Sequence, residues 1–263
     1  MLSTDLSLLE SAVTALEHPS FAARLANMAG KPIELIGQAL PAPAAQAIAT
    51  ATSRALNVAL NVALRTMQGA RPGSPLFHKA LAMASGAAGG AFGLAALPIE
   101  LPVSTTIMLR AIAEIAQSEG EDLTDPETAL ACVQVFALGG RGGAADASES
   151  GYFAARAMLA KSVTEAARYI AERGLIEEGA PVLVRFVAQI ASRFGVVVSQ
   201  KLAAQAVPLV GALGGAAVNY AFIAHFQDVA RGHFTVSRLE RRYGKDRVRS
   251  EYERLAQAMH AHA

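Results

Sequence analysis

Residues 80–99 read ALAMASGAAGGAFGLAALPI and residues 202–227 read LAAQAVPLVGALGGAAVNYAFIAHFQ, and neither contains an Asp, Glu, Lys or Arg. Each is long enough to cross a bilayer as a helix, yet each is built mainly of alanine and glycine. In the first, Gly86 and Gly90 are four apart, and so are Gly89 and Gly93; in the second, Gly211 and Gly215 repeat the spacing. Positions four apart share one helical face, and a face without side chains lets another backbone approach closely. Glycine costs about 1 kcal/mol relative to alanine inside a helix, so several on one face indicate packing. The insertion residues of the first stretch, Leu81, Phe92, Leu94, Leu97 and Ile99, sum to only about −1.5 to −3 kcal/mol. The second is interrupted by Gln205, Asn219 and His225. Close packing of two central helices, around a core or an apolar guest, is the expectation, ahead of permanent insertion.

The rest of the chain carries the same period. It has 263 residues, 52% hydrophobic and 17% charged, with a net charge of +1, so it leans apolar without a field that would favour nucleic acid. No strand-like alternation persists, and tryptophan is absent. Helices are expected near 5–17, 20–29, 32–39, 43–68, 75–97, 100–118, 126–138, 149–172, 180–205, 209–242 and 246–259. The start signals are Ser74-Pro75 and Asp125-Pro126-Glu127; the stop signals are Gly69, Gly120, Gly174 and Gly244. The fold class is therefore all-α, a compact multi-helix bundle. It divides into an N-terminal helical region, 1–70, and a helical domain, 71–263, which also read as one continuous domain. The segment 139–150, GGRGGAADASES, is a glycine-rich connection between two helical halves.

Several residues carry potential chemistry. Glu100 lies in LPIELP between Pro98 and Pro102, where a carboxylate meets the positive end of the next helix. If buried it needs a cation, from Arg110 or from the other half of the chain. Glu100, Thr106 and Arg110 are candidates for the polar end of an apolar pocket. His225 and Asp228 are three apart and His233 is two turns beyond His225, but no second ligand pair with metal spacing accompanies them. Asn219 completes this group of candidate polar residues. The single cysteine, Cys132, sits in an apolar run and reads as packing. No nucleophile elbow, HExxH, P-loop or dinucleotide fingerprint occurs, so no cofactor is expected. The segment from Asp228 to Arg254 holds eight Lys/Arg against five Asp/Glu, a mildly basic surface suited to an anionic leaflet. The N-terminus lacks a basic region followed by an apolar run, so a cytoplasmic location is expected.

Three segments together carry a resemblance: the glycine stretch leading into LPIELPVSTTIMLRAIAEIAQ, the Asp-Pro-Glu helix ending in ALGG, and VPLVGALGGAAVNYAFIAHFQDVARGHFTVSRLERRYG. Over about residues 75–255 the chain resembles the EcsC protein family, bacterial proteins named for an operon that also encodes an ABC transporter. The resemblance implies an all-helical, membrane-linked protein and transfers no catalytic residues. The leading functional expectation is a non-enzymatic protein that binds lipid or another long apolar ligand, or docks at the inner face of the cytoplasmic membrane. The alternative is a hydrolase using Glu100, His225, Asp228 and His233, with or without a metal. That alternative requires the four side chains to converge in one cleft. A structural partnership with a membrane transporter is a third expectation.

Overall fold

The computed structural model describes residues 1–17, 21, 25, 42–66, 97–140, 151–173, 180–205 and 211–261. Among them are α1 (Ser3–Glu17), α2 (Ala42–Thr66), α3 (Leu97–Ser118), α4 (Pro126–Leu138), α5 (Gly151–Arg173), α6 (Pro181–Gln205), α7 (Gly211–Tyr243) and α8 (Lys245–Ala261), with no strand. The helices expected near 32–39 and 75–97, most of that near 20–29, and the glycines at 86, 89, 90 and 93 lie outside the described residues. So do Ser74-Pro75, Gly69 and Gly174.

Local chemistry accounts for the ends. Asp125 precedes α4 with extended backbone (φ −79°, ψ 127°) and its carboxylate accepts from Thr128 N at 3.1 Å, while Pro126 opens the helix. Gly120 and Gly244 adopt φ of 82° and 87°, the left-handed conformation that terminates a helix at little cost only in glycine. The break expected between 97 and 100 is absent. Pro98 falls in the first turn of α3, where its missing N–H has no partner to lose, and Pro102 is carried inside the helix.

The architecture is built around α4 and α7. In α4 every residue from Thr128 to Leu138 except Ala131 is buried, as expected of a helix that is apolar all round. Helix α7, 33 residues long, packs against α1, α3, α4, α6 and α8. Aromatic rings lock these elements together: Phe136 of α4 lies 5.0 Å from Phe194 of α6 and 5.3 Å from Phe226 of α7, ring centre to ring centre. In α6 the buried residues from Leu183 to Val198 are Leu183, Phe186, Val187, Ile190, Phe194, Val197 and Val198, a stripe at three- and four-residue spacing that faces the protein, and from Lys201 to Ala204 every residue is buried. Helix α6 is also the one described helix long and apolar enough to cross a membrane. Cys132 is buried and its thiol is pushed up to about 12 by desolvation, with Glu121 adding to the shift. Such a thiol is packing material.

Close backbone approach does occur, at glycines the periodicity did not single out. A Cβ on Gly140 would collide with the Arg193 carbonyl oxygen, and one on Gly232 would lie 2.7 Å from Leu16 Cγ. The end of α4 thus lies directly on α6, and α7 on α1. Gly195, by contrast, faces open space. Gly140→Ala is expected to destabilise the fold by about 1–3 kcal/mol, the range for overpacking. Gly195→Ala should instead gain about 0.5–1 kcal/mol from helix propensity. Urea unfolding of the two variants measures both, and equal midpoints would refute the close approach at Gly140.

Candidate functional site

Two regions hold the polar chemistry. The first lies where α3 begins, α6 ends and α7 begins. Glu100, in the first turn of α3, accepts a hydrogen bond from Lys201 Nζ at 2.6 Å, and both side chains are buried. The cation comes from the other half of the chain, and Arg110 is exposed. Burial pulls the Lys201 ammonium below its ordinary range, while the Glu100 carboxylate pushes the other way. The ammonium also lies 4.8 Å from the centre of the Phe222 ring of α7. Thr106 Oγ1 donates to Pro102 O at 2.8 Å, within its own helix. Thus Glu100, Thr106 and Arg110 do not form one polar group. Ile99 and Val103, which flank Glu100 on α3, are exposed, as is Tyr220 on α7.

Along α7 the sequence candidates separate. Asn219 is fully buried. His225 Nε2 donates to Gly139 O at 2.9 Å, and its ring packs 5.1 Å from that of Phe226. Asp228 pairs with Arg231 at 3.1 Å near the surface. His233, about 12 Å along the helix axis from His225, meets Tyr152 of α5 instead. The four residues named for a hydrolase therefore meet four different partners, Lys201, Gly139, Arg231 and Tyr152. Among the described residues no three His, Cys, Asp or Glu side chains form a group able to hold a metal ion.

The second region is a polar cleft of about 550 Å³ between α4, α5 and α7. One wall is a two-pronged ion pair: Arg156 Nη1 and Nη2 donate to Glu240 Oε1 and Oε2 at 2.8 and 2.7 Å. The pairing raises the Arg156 guanidinium against the opposing effect of burial. Behind it, Arg156 Nη1 also donates to Tyr152 Oη at 3.4 Å, and Tyr152 Oη lies 2.9 Å from His233 Nδ1. Desolvation raises the Tyr152 phenol, so it keeps its proton, and it holds His233 down to about 3, with Arg156 adding to the effect. Because Tyr152 Oη already accepts from Arg156, we assign its proton to the bond with the neutral imidazole, which then accepts at Nδ1 and carries its own proton on Nε2. Tyr152 is further fixed by Tyr252 of α8, stacked at 5.6 Å, whose hydroxyl donates to buried Glu17 of α1 at 2.8 Å. Four helices thus hold the floor of the cleft rigid.

The model of the EcsC protein family matches residues 5–239. The chain belongs to the EcsC protein family. No curated protein and no solved structure matches it. The match begins within α1 and ends at Leu239, one residue before Glu240, so both polar regions lie almost wholly inside the EcsC domain. Sequence reading reached Glu100 and His233 but missed their partners. Lys201 had a signal, as the lone cation between Arg193 and the second charge-free stretch. Gln134 had one too, as the single polar side chain in ALACVQVFAL. Arg156 and Glu240 had none, because an ion pair across 84 residues leaves no local pattern.

Proposed function

We infer that this EcsC-family protein is a non-enzymatic membrane-docking protein that contacts phospholipid through the end of the bundle where α3 begins. The observation that carries the reading is the exposure of Ile99 and Val103, 76% and 45%, one helical turn apart on α3. Single exposed apolar residues are ordinary, but these two share one face of α3, and Tyr220 of α7, 46% exposed, is a residue type favoured at membrane–water interfaces. In sequence, the first charge-free stretch finishes at Ile99, and the second contains Tyr220 and Phe222. Further along α3, Thr106 and then exposed Arg110 follow at positions suited to the headgroup layer. Beneath them the Glu100–Lys201 pair ties α3 to α6, so the apolar tip is presented on a fixed support. An apolar patch backed by a cation at headgroup depth is the arrangement by which helices lie in an interface rather than span it.

Flotation with phosphatidylglycerol-containing liposomes tests the reading. The wild-type protein should float, and Ile99→Asp/Val103→Asp should bind about tenfold more weakly, a loss of about 1.4 kcal/mol. Both positions are exposed, so the variant should keep its melting temperature. Failure of the wild type to float, or equal flotation of the variant, would remove the reading.

A further inference from the structure

The cleft between α4, α5 and α7 contains two buried polar side chains whose hydrogen-bonding capacity is not used. Gln134, on α4, is 5% exposed, and neither end of its amide has a hydrogen-bond partner among the described residues. His233, on α7, is 3% exposed. Its Nδ1 edge is turned toward Tyr152, which does not line the cleft, and its Nε2 has no partner among the described residues. Both residues line the cavity. A buried polar group left without a partner costs about 1–3 kcal/mol, and the cost is recovered when a ligand or ordered water meets it. Two such groups on facing helices of one cavity, over a floor fixed by four helices, constitute a preformed site.

Charge decides what enters it. Both arginines of the lining are already engaged: Arg156 with Glu240, and Arg241 with Glu121 and with Glu119 O at 3.1 Å. Lys245, the third cation of the lining, is exposed and has no ion pair among the described residues. The lining sets the carboxylates of Glu121, Asp125, Glu127 and Glu240 against Arg156, Arg241 and Lys245, so a phosphate or carboxylate meets no net positive field. A cationic guest is disfavoured too, because a neutral imidazole presents Nε2–H, a donor, at the base of the cleft. The buried set left unpaired is one amide, which donates and accepts side by side, and one further donor, with the Thr164 and Ser237 hydroxyls nearer solvent.

We propose that this cleft binds a small uncharged molecule with an amide-type hydrogen-bonding edge, of the kind nucleobases and nucleosides carry, held by Gln134 and His233 Nε2–H. The Gln134 amide pairs with the ligand's adjacent donor and acceptor, and His233 donates to a second acceptor. A cavity of about 550 Å³ accommodates a molecule of nucleoside size. The aliphatic parts of Ala131, Ala160 and Val163 supply apolar contact with its ring. This site is separate from the membrane-docking end and stands independently of it.

Titration of uridine, adenosine and nicotinamide into the full-length protein carrying 15N-labelled histidine tests the proposal, with the His233 resonance assigned through His233→Gln. At least one of these probes should shift the His233 Nε2 signal saturably. Gln134→Met, which keeps the side-chain volume, should weaken that binding about tenfold. Sodium phosphate and spermidine at the same concentrations should leave the signal in place. The proposal fails if no uncharged probe moves His233, if phosphate or spermidine binds as tightly, or if Gln134→Met binds like the wild type. A second readout needs no variant: the bound probe should show intermolecular NOEs to the Ala131 and Val163 methyl groups, and their absence would also overturn the assignment.

Discussion

Replacing Lys201 with methionine is expected to cost the fold about 3–5 kcal/mol, the range for removing one partner of a buried ion pair. Methionine has a similar reach and fills the same space, so the loss is electrostatic rather than a cavity effect. What remains is the Glu100 carboxylate, buried in the first turn of α3 with its 2.6 Å partner gone. The penalty is the desolvation of that unpaired carboxylate. Glu100→Leu/Lys201→Met removes both charges and should regain most of the loss, since apolar replacement of a buried pair is often neutral or stabilising. Urea unfolding of the two single variants and the double at pH 7 and pH 5 gives the coupling energy. A Lys201→Met protein within about 1 kcal/mol of the wild type at pH 7 would mean that the pair is solvated and the end of the bundle is loose.

That pair shows where sequence reading succeeds and where it stops. Helix content and most helix ends were legible because their causes are local: a capping aspartate before a proline at α4, and glycines at 120 and 244 with the backbone conformation that ends a helix. The need of Glu100 for a cation was legible too, from its place between two prolines beside an apolar stretch. Which cation was not, because the choice between Arg110 and Lys201 depends on how α6 lies against α3, a tertiary fact 101 residues away in sequence. The continuity of α3 through Leu97–Glu100 is a related case: Pro98, between the helices expected at 75–97 and 100–118, lies in the first turn of α3. Glycine spacing pointed to close packing in principle. Among the described residues the close approaches are at Gly139, Gly140 and Gly232, all outside the two charge-free stretches. The cleft was hidden for the most general reason. Gln134, Arg156, His233 and Glu240 come from three helices, and no spacing rule connects them.

Acid should weaken the fold through His233 well before the carboxylates titrate. In the folded protein desolvation holds this imidazole down to about 3, with the Arg156 guanidinium adding to the effect. In the unfolded chain it returns to about 6.5. Between these values the unfolded state binds a proton that the folded state refuses, so stability falls as pH falls. The contribution is fully present above about 6.5 and is lost progressively toward 3, by about 2 kcal/mol between pH 7 and pH 5. The groups facing the ring are the Tyr152 hydroxyl, Arg156 and, through Arg156, Glu240. The phenol is raised and stays protonated, and the arginine stays charged, so neither changes state in this window. His233→Gln keeps a polar side chain against Tyr152 but cannot take up a proton. Its unfolding free energy should therefore be flatter than that of the wild type between pH 7 and pH 5, whatever its absolute stability. Subtracting the two profiles cancels the remaining histidines and the carboxylates common to both proteins. Parallel profiles would show that His233 charges freely in the folded state. In that case it would donate from both nitrogens, the Tyr152 hydroxyl would have to turn from donor to acceptor, and the cleft would carry a cation at its base. An uncharged ligand and a flat His233→Gln profile thus rest on the same protonation state and are checked by separate measurements.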